Sequence, residues 1–452
     1  MAIRRIFVAN RGEIAVRILR TCRALGIETV LGVSEADRES LGAEMADRVL
    51  CLGPAQPALS YLRVETVVQA ALGSACDAIH PGYGFLSERA DLARLCEAEG
   101  VIFIGPIADQ IEAVGDKLRA RAAAEAAGVP VIPGGAASSP EEARRLAEQI
   151  GMPLLVKAAG GGGGRGMKLV EQAEDLAAMM DMASAEAEAA FGDARVYLER
   201  YVRSGRHIEV QVLGDGEGRV IHLGERDCSV QRRYQKLVEE TPAPHLPPAT
   251  RAAMHDAAIR FAARLSYRGA GTVEFLYDVP RDAFYFLEMN ARIQVEHPVT
   301  EAVTGIDLIA EQIAIADGNG LGMAQQDIVC AGAAIECRIN AEDPERDFAP
   351  SPGAISAVRW PAGEGIRVDT HIVDGARIPP FYDSMIAKVI AHGPDRATAL
   401  ARLRTALADV RIAGVATNLA FQQAVLADPD FACGGVDTGF LARFLDGAKA
   451  AA

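Results

Sequence analysis

The chain has 452 residues, 50% of them hydrophobic and 24% charged, with a formal net charge of −15. That length calls for two or three domains, and the composition is that of a globular protein with ample core material. The acidic balance, without a lysine/arginine block, excludes nucleic acid and anionic membrane as expected partners, while leaving room for a local basic pocket that holds a small anion.

The N-terminus, MAIRRIFVANRGE, reaches polar Asn10, Arg11 and Glu13 too soon to hold the apolar core of a signal peptide. No run of about 18 apolar residues follows, so no membrane span is expected. The cysteines at 22, 51, 76, 96, 228, 330, 337 and 433 include no C-x-x-C pair. They are expected to be buried reduced thiols in a cytoplasmic protein.

The first ~110 residues alternate apolar strands (RRIFVAN, ETVLGVS, ADRVLCL, DAIHPG, VIFIGP) with helices (EIAVRILRTCRALG, RVETVVQAAL), the pattern of a doubly wound parallel sheet. The loops NRGE and HPGYGFLSE follow two of these strands, where such sheets place ligands. A charged helix is expected over about 113–130, leading into the Pro/Gly junction VPVIPGG. To about 203 the order is helix PEEARRLAEQIG, strand PLLVKAA, a glycine run, strand MKLV, an alanine-rich helix and strand ARVYLER. From 207 strands dominate: HIEVQVLG, RVIHLGERD, GTVEFLYD and AFYFLEMN, with helix ATRAAMHDAAIRFAARLS among them. Beyond 330 come AAIECRIN, ISAVRW and SMIAKVIA, then a helical region near 395–445.

Five consecutive glycines, Gly160 to Gly164, precede Arg165 and Gly166. Such a run is entropically costly unless backbone approach or mobility is needed. A dinucleotide fingerprint requires strand then helix, whereas two strands flank this run; nor does Gly-Lys-Ser/Thr follow. A glycine hairpin between strands suits a flap over nucleotide phosphates, with a linker as the alternative. In FYFLEMNARIQVEH, alternation sends Tyr285, Leu287 and Met289 to one side of an extended chain and Glu288 and Asn290 to the other. If the chain stays extended, Arg292, Gln294 and Glu296 join the second side. Oxygen ligands of this kind suit magnesium, and Glu274 on the preceding strand could complete the site. In AAIECRIN, Glu336, Arg338 and Asn340 share a side, which alone predicts an exposed strand face. His207, Glu209, Gln211, Gln231 and Lys236, in HIEVQVLG and RDCSVQRRYQK, are individually unremarkable.

Taken together, ANRGEIAVRILR, HPGYGFLSE, KAAGGGGGRGMKLV, RHIEVQVLGD, ERDCSVQRR, EMNARIQVEHPVTE, ECRINAEDP and PPFYDSMIAK resemble the biotin carboxylase family of the ATP-grasp superfamily, in order from residue 3 to about 445. The resemblance implies a multidomain α/β and α+β fold. A Rossmann-like N-terminal domain (1–113) would precede an ATP-grasp domain (114–328, with a lid over about 131–203) and a C-terminal biotin carboxylase domain (329–447). It implies phosphate-binding Lys117 and Lys157, with Gly163 and Gly164 in the flap. Glu199, Arg200 and Val202 would line the adenine, and His207, Gln231 and Tyr234 would contact the nucleotide. Glu274, Glu288 and Asn290 match the ligands of Mg²⁺ or Mn²⁺. Lys236, Arg292, Gln294, Val295 and Glu296 match the bicarbonate site, and Arg338 and Tyr83 the biotin site.

The implied reaction is ATP-dependent carboxylation of biotin through carboxyphosphate. Glu296 serves as base, Lys236 and Arg292 hold the anion, and Arg338 stabilises the biotin enolate. Tyr234, Ala291 and Ala159 depart from the family's usual His, Thr and Ser; none removes a catalytic group. Another ATP-grasp ligase would not need the RIQVEH segment with Arg338, and a non-catalytic homologue would have lost some of Glu288, Asn290, Arg292 and Glu296. Because no A/V-M-K-M biotinylation segment is present, the expectation is a component that works on biotin held by a separate carrier protein. The resemblance alone implies a homodimer, and the component would pass carboxybiotin to a carboxyltransferase. Acetyl-CoA or another acyl-CoA is the expected final acceptor, with urea or a ketone as alternatives.

Overall fold

The computed structural model describes residues 3–137, 139–159 and 167–451. Gly163 and Gly164, like the rest of the glycine run, lie outside the described residues.

The first segment folds as its alternation predicts. Strands Arg48–Gly53, Glu28–Ser34, Arg5–Val8, Ala78–His80 and Ile102–Phe103 lie side by side in that order, all parallel. Helix Gly12–Ala24 turns Ile14, Ala15, Ile18, Leu19 and Cys22 inward, the spacing of a helix with one buried stripe. The helix expected over 113–130 is instead two, Ala108–Gly115 and Lys117–Ala126. Asp116 causes the break: its carboxylate accepts from the backbone N–H groups of Leu118 and Arg119 at 2.9 and 3.0 Å, capping a new helix start.

Residues 134–200 make a four-stranded sheet in the order Gly134–Ala136, Val196–Arg200, Leu154–Ala158, Lys168–Val170. Helices Pro140–Ile150 and Leu176–Phe191 accompany it. Ala143, Leu154, Val156, Leu176 and Leu198 give it a small core of its own.

The centre of the molecule is an eight-stranded sheet. Its order is Ala283–Asn290, Arg268–Asp278, Gly205–Asp215, Val220–Arg232, Gln235–Thr241, Ala333–Asn340, Met385–Gly393, Ile366–Thr370. Every neighbouring pair is antiparallel. Strand Gln235–Thr241 escaped the alternation pattern because both its apolar pair, Leu237 and Val238, and its acidic pair, Glu239 and Glu240, are buried.

All eight cysteines are free thiols, but Cys51, Cys330 and Cys433 are exposed, which corrects the expectation of uniform burial. Cys51 lies on the edge strand Arg48–Gly53, which no further strand of the sheet covers on its outer side. No helix among the described residues is long and apolar enough to cross a membrane.

Candidate active site

Antiparallel register builds the site's floor. Glu209 stands opposite Glu274, and Glu274 opposite Glu288, so three strands present one row of carboxylates. Asn290 lies two residues further along, opposite Thr272, and donates from Nδ2 to Glu274 at 2.9 Å. Such a row would repel itself without a counter-charge. Lys236 supplies it: Nζ lies 2.6 Å from Glu209, 2.9 Å from Glu274 and 2.7 Å from Glu296. Burial opposes charge on Lys236, but these carboxylates win and raise its pKa well above the ordinary value. Burial likewise opposes ionisation of Glu274, yet Lys236 and His207 hold it below the usual carboxylate range.

Arg226, with a fully buried side chain, braces Glu209 from behind. It donates to Glu209 at 2.6 Å, to Gln211 at 2.8 Å, and to the hydroxyls of Thr300 and Thr272 at 3.0 and 3.2 Å. A buried charge is tolerable when its donors are satisfied in this way.

The extended chain expected from 285 to 296 does not persist. A bulge between the Glu274–Glu288 and Phe275–Phe286 pairs reverses the side-chain alternation, so Phe286 and Met289 are the buried apolar positions. The strand itself ends at Asn290, and residues 291–296 turn into helix His297–Thr304. The expected groups still converge, by that turn rather than by alternation. Arg292 donates to Asn290 at 2.8 Å, Gln294 at 2.9 Å and Glu88 at 3.0 Å. Gln294 donates to Glu274 at 3.1 Å. Glu296, wholly buried, accepts from Lys236 at 2.7 Å and from Arg338 at 2.9 Å.

Strand Ala333–Asn340 is not the exposed face that its sequence alone predicts: Glu336 and Asn340 are buried and Arg338 nearly so. The sheet continues on both sides, and helix His297–Thr304 packs on it. Arg338 bridges Glu239 (2.6 Å) and Glu296 (2.9 Å). Burial pushes Glu239 up to about 7, with Arg338 opposing and Glu296 adding to the rise. Burial also opposes ionisation of Glu296, but Lys236, Arg338 and Arg226 hold it well below the ordinary carboxylate range.

Tyr83 is brought to this region by the first sheet. Asn10, from NRGE, donates to the carbonyls of Pro81 and Tyr83 at 2.7 Å each. The turn between them needs Gly82, at φ +63°, where a Cβ would sit 2.9 Å from Asn10 Nδ2. The Tyr83 hydroxyl donates to Glu13.

At the other end, Lys157 pairs with Glu199 at 2.5 Å and Lys117 with Glu288 at 3.7 Å. Arg200 donates to the Tyr285 hydroxyl at 2.8 Å, and Val202 is buried. His207 Nε2 lies 3.0 Å from Glu274, and its Nδ1 lies 2.9 Å from Gln231 Nε2. Tyr234 is more open than these groups: with Arg233 it forms a left-handed turn, φ +65° and +49°, and is 58% exposed. The residues that sequence reasoning missed are Glu88, Arg226, Glu239 and Lys388. Glu88, Arg226 and Lys388 lie inside quoted motifs, but their partners are distant in sequence.

Among the described residues, two groups of side chains bring metal-binding atoms within 4.8 Å of one another: His207, Glu209 and Glu274, and Glu209, Cys228 and Glu296. A magnesium ion prefers oxygen ligands. The Glu274–Glu288 pair across the hairpin, with the Asn290 amide, fits that preference, and Lys117 lies beside Glu288.

Family comparisons agree along the chain. The biotin carboxylase N-terminal domain matches residues 2–111 and the biotin carboxylase C-terminal domain residues 336–443. Between them, the ATP binding domain of the carbamoyl-phosphate synthase L chain matches residues 116–324. Biotin carboxylase 1 of Bacillus subtilis is 50% identical over 444 residues, 98% of this chain and 99% of the relative. The chain belongs to the biotin carboxylase family. A pyruvate carboxylase subunit from Methanothermobacter thermautotrophicus is 48% identical over 448 residues, 99% of this chain and 91% of that one. A crystal structure of the biotin carboxylase domain dimer of Hydrogenobacter thermophilus 2-oxoglutarate carboxylase, with MgADP, ADP and bicarbonate, superposes with a TM-score of 0.94. It is 46% identical, and the match covers 98% of each chain. Membership in the biotin carboxylase family spans all three regions of the fold and makes the chain an ATP-dependent ligase.

Proposed function

We propose that this site carboxylates biotin at the expense of ATP and bicarbonate, with Glu296 as the base, and that biotin is presented on a separate carrier protein. The observation that carries the reading is the convergence of Lys236 and Arg338 on the buried Glu296 carboxylate, with Arg292 held nearby through Gln294. Bicarbonate is an anion and a poor nucleophile, so it needs cations to hold it and a base to take its proton. Lys236, first among the cations that keep Glu296 ionised, is also one that a second anion would recruit. Bicarbonate bound by Lys236 and Arg292 therefore draws Lys236 away from Glu296 and raises the basicity of that carboxylate as the proton is to be taken. A bicarbonate oxygen then bonds to the γ-phosphorus, the bond to ADP breaks, and the proton rests on Glu296. Glu274, Glu288 and Asn290 would hold magnesium, which would supply charge neutralisation at the phosphates. Arg338 holds permanent charge where the oxygen of deprotonated biotin becomes negative, and Tyr83 borders that ring.

Domain limits of 1–113, 114–328 and 329–447 follow this division of labour. The N-terminal part carries Tyr83, the middle holds nucleotide and bicarbonate, and the last brings Arg338. Lys117, Lys157, Glu199, Arg200, Val202, His207, Gln231 and Tyr234 are assigned to the nucleotide. A homodimer working in the cytoplasm is the reading supported by the dimeric relative and by eight unpaired thiols. The carboxyl acceptor beyond biotin is an acyl-CoA in this proposal. The pyruvate carboxylase relative favours a keto acid as the second reading, and the carboxyltransferase that copurifies with the chain decides between them.

The test is ATP cleavage by the purified chain with magnesium, measured with and without bicarbonate. Cleavage should require bicarbonate and rise with free biotin; cleavage unaffected by omitting bicarbonate overturns the reading. The 131–203 segment is assigned as a lid, because its sheet has its own small core and closure excludes water from a phosphoryl transfer. Amide exchange in strands Leu154–Ala158 and Lys168–Val170 should slow when ATP is added. Unchanged exchange at saturating nucleotide would remove the lid assignment.

A further inference from the structure

Lys388 is wholly buried, yet no part of the chemistry above calls on it. It lies on strand Met385–Gly393, directly opposite Arg338 on the neighbouring strand, so the two cations project from one face. Arg338 holds the Glu296 carboxylate at 2.9 Å, while Lys388 Nζ donates to the carbonyl of Val295, the preceding residue, at 2.7 Å. Adjacent strands thus grip two consecutive residues of the turn that delivers the base. Lys388 also pairs with Glu13 of the first helix at 3.1 Å, and the Tyr83 hydroxyl donates to the same Glu13 oxygen. Simple neutralisation of the C-terminal strands would have paired Lys388 with Asp369, its opposite number on the other side. Asp369 instead pairs with Arg367 at 2.6 Å. A compact ammonium with three donors on a long stem suits a carbonyl and a carboxylate at different heights, which a planar guanidinium does not.

We propose that Lys388 is a positioning residue for bicarbonate: it fixes the Val295 backbone, hence the aim of Glu296, and through Glu13 ties that backbone to Tyr83. The inference rests on the bicarbonate reading of the same site. Lys388 touches no reacting atom, so its effect is on geometry. Displacing a substrate-holding segment by an ångström costs up to about 100-fold.

In the full-length chain, Lys388→Met should raise the KM for bicarbonate by about 10- to 100-fold in biotin-free ATP cleavage, while the KM for ATP stays at the wild-type value. Glu13→Gln keeps an acceptor but loses the charge, and should raise the bicarbonate KM less, again without moving that for ATP. If Lys388→Met does not fold, Glu13→Gln carries the test alone. A bicarbonate KM unchanged in the folded variants overturns the proposal, and so does an equal rise in both KM values, the signature of a merely structural role. Wild-type cleavage that ignores bicarbonate would instead fail the functional reading itself, before any variant is compared.

Discussion

Glu296→Ala is expected to abolish both bicarbonate-dependent ATP cleavage and biotin carboxylation. The carboxylate is wholly buried, with Lys236 at 2.7 Å and Arg338 at 2.9 Å. Alanine removes the proton acceptor for the first step, and a positioned base is typically worth about 10²–10⁴ in rate. It also leaves Lys236 with one carboxylate fewer, so the cation that should hold bicarbonate is redistributed toward Glu209 and Glu274. Both losses fall before carboxyphosphate forms, so the two assays should fail together. ATP cleavage that stays bicarbonate-dependent at the wild-type rate would assign the base elsewhere.

Arg338→Ala should separate the two assays. Biotin carboxylation is expected to fall by about 10²–10³, the usual consequence of removing one charge-stabilising donor, with a smaller loss in ATP cleavage without biotin. The smaller loss has a structural origin: Arg338 also steadies Glu296, but Lys236 remains beside that carboxylate. Glu239 responds as well. Burial already pushes it up to about 7, and Arg338 is the main group opposing that rise, with Lys236 contributing less. Without the guanidinium its pKa climbs further, so Glu239 carries a proton at neutral pH and no unpaired buried charge is stranded. The variant should therefore fold, which makes the rate comparison meaningful. Equal losses in both assays would refute the assignment of Arg338 to the biotin step.

Much of this site was legible in the primary structure because its carriers sit in short local patterns. Glu288 and Asn290 follow two-residue alternation within one strand, and the motif order identified the family along the whole chain. The bulge near Leu287 and the turn after Asn290 were not legible. Either a bulge or straight pairing is compatible with the same run of residues, and only the partner strand's register selects between them.

The amino-acid sequence by itself determined the parallel first sheet and the family. Each depends on spacing within a few residues or on ordered motifs. Only the tertiary structure decided which charges meet. Lys236 joins Glu209, Glu274 and Glu296 from positions 27, 38 and 60 residues away, and Lys388 reaches Val295 across 93. AAIECRIN has the pattern of a strand with a wet face, and becomes an interior strand because sheet and helix enclose it. A charged residue in the sequence is solvated by default. Burial is tolerated only with a counter-charge, and here that counter-charge is supplied by chain closure rather than by neighbours in sequence.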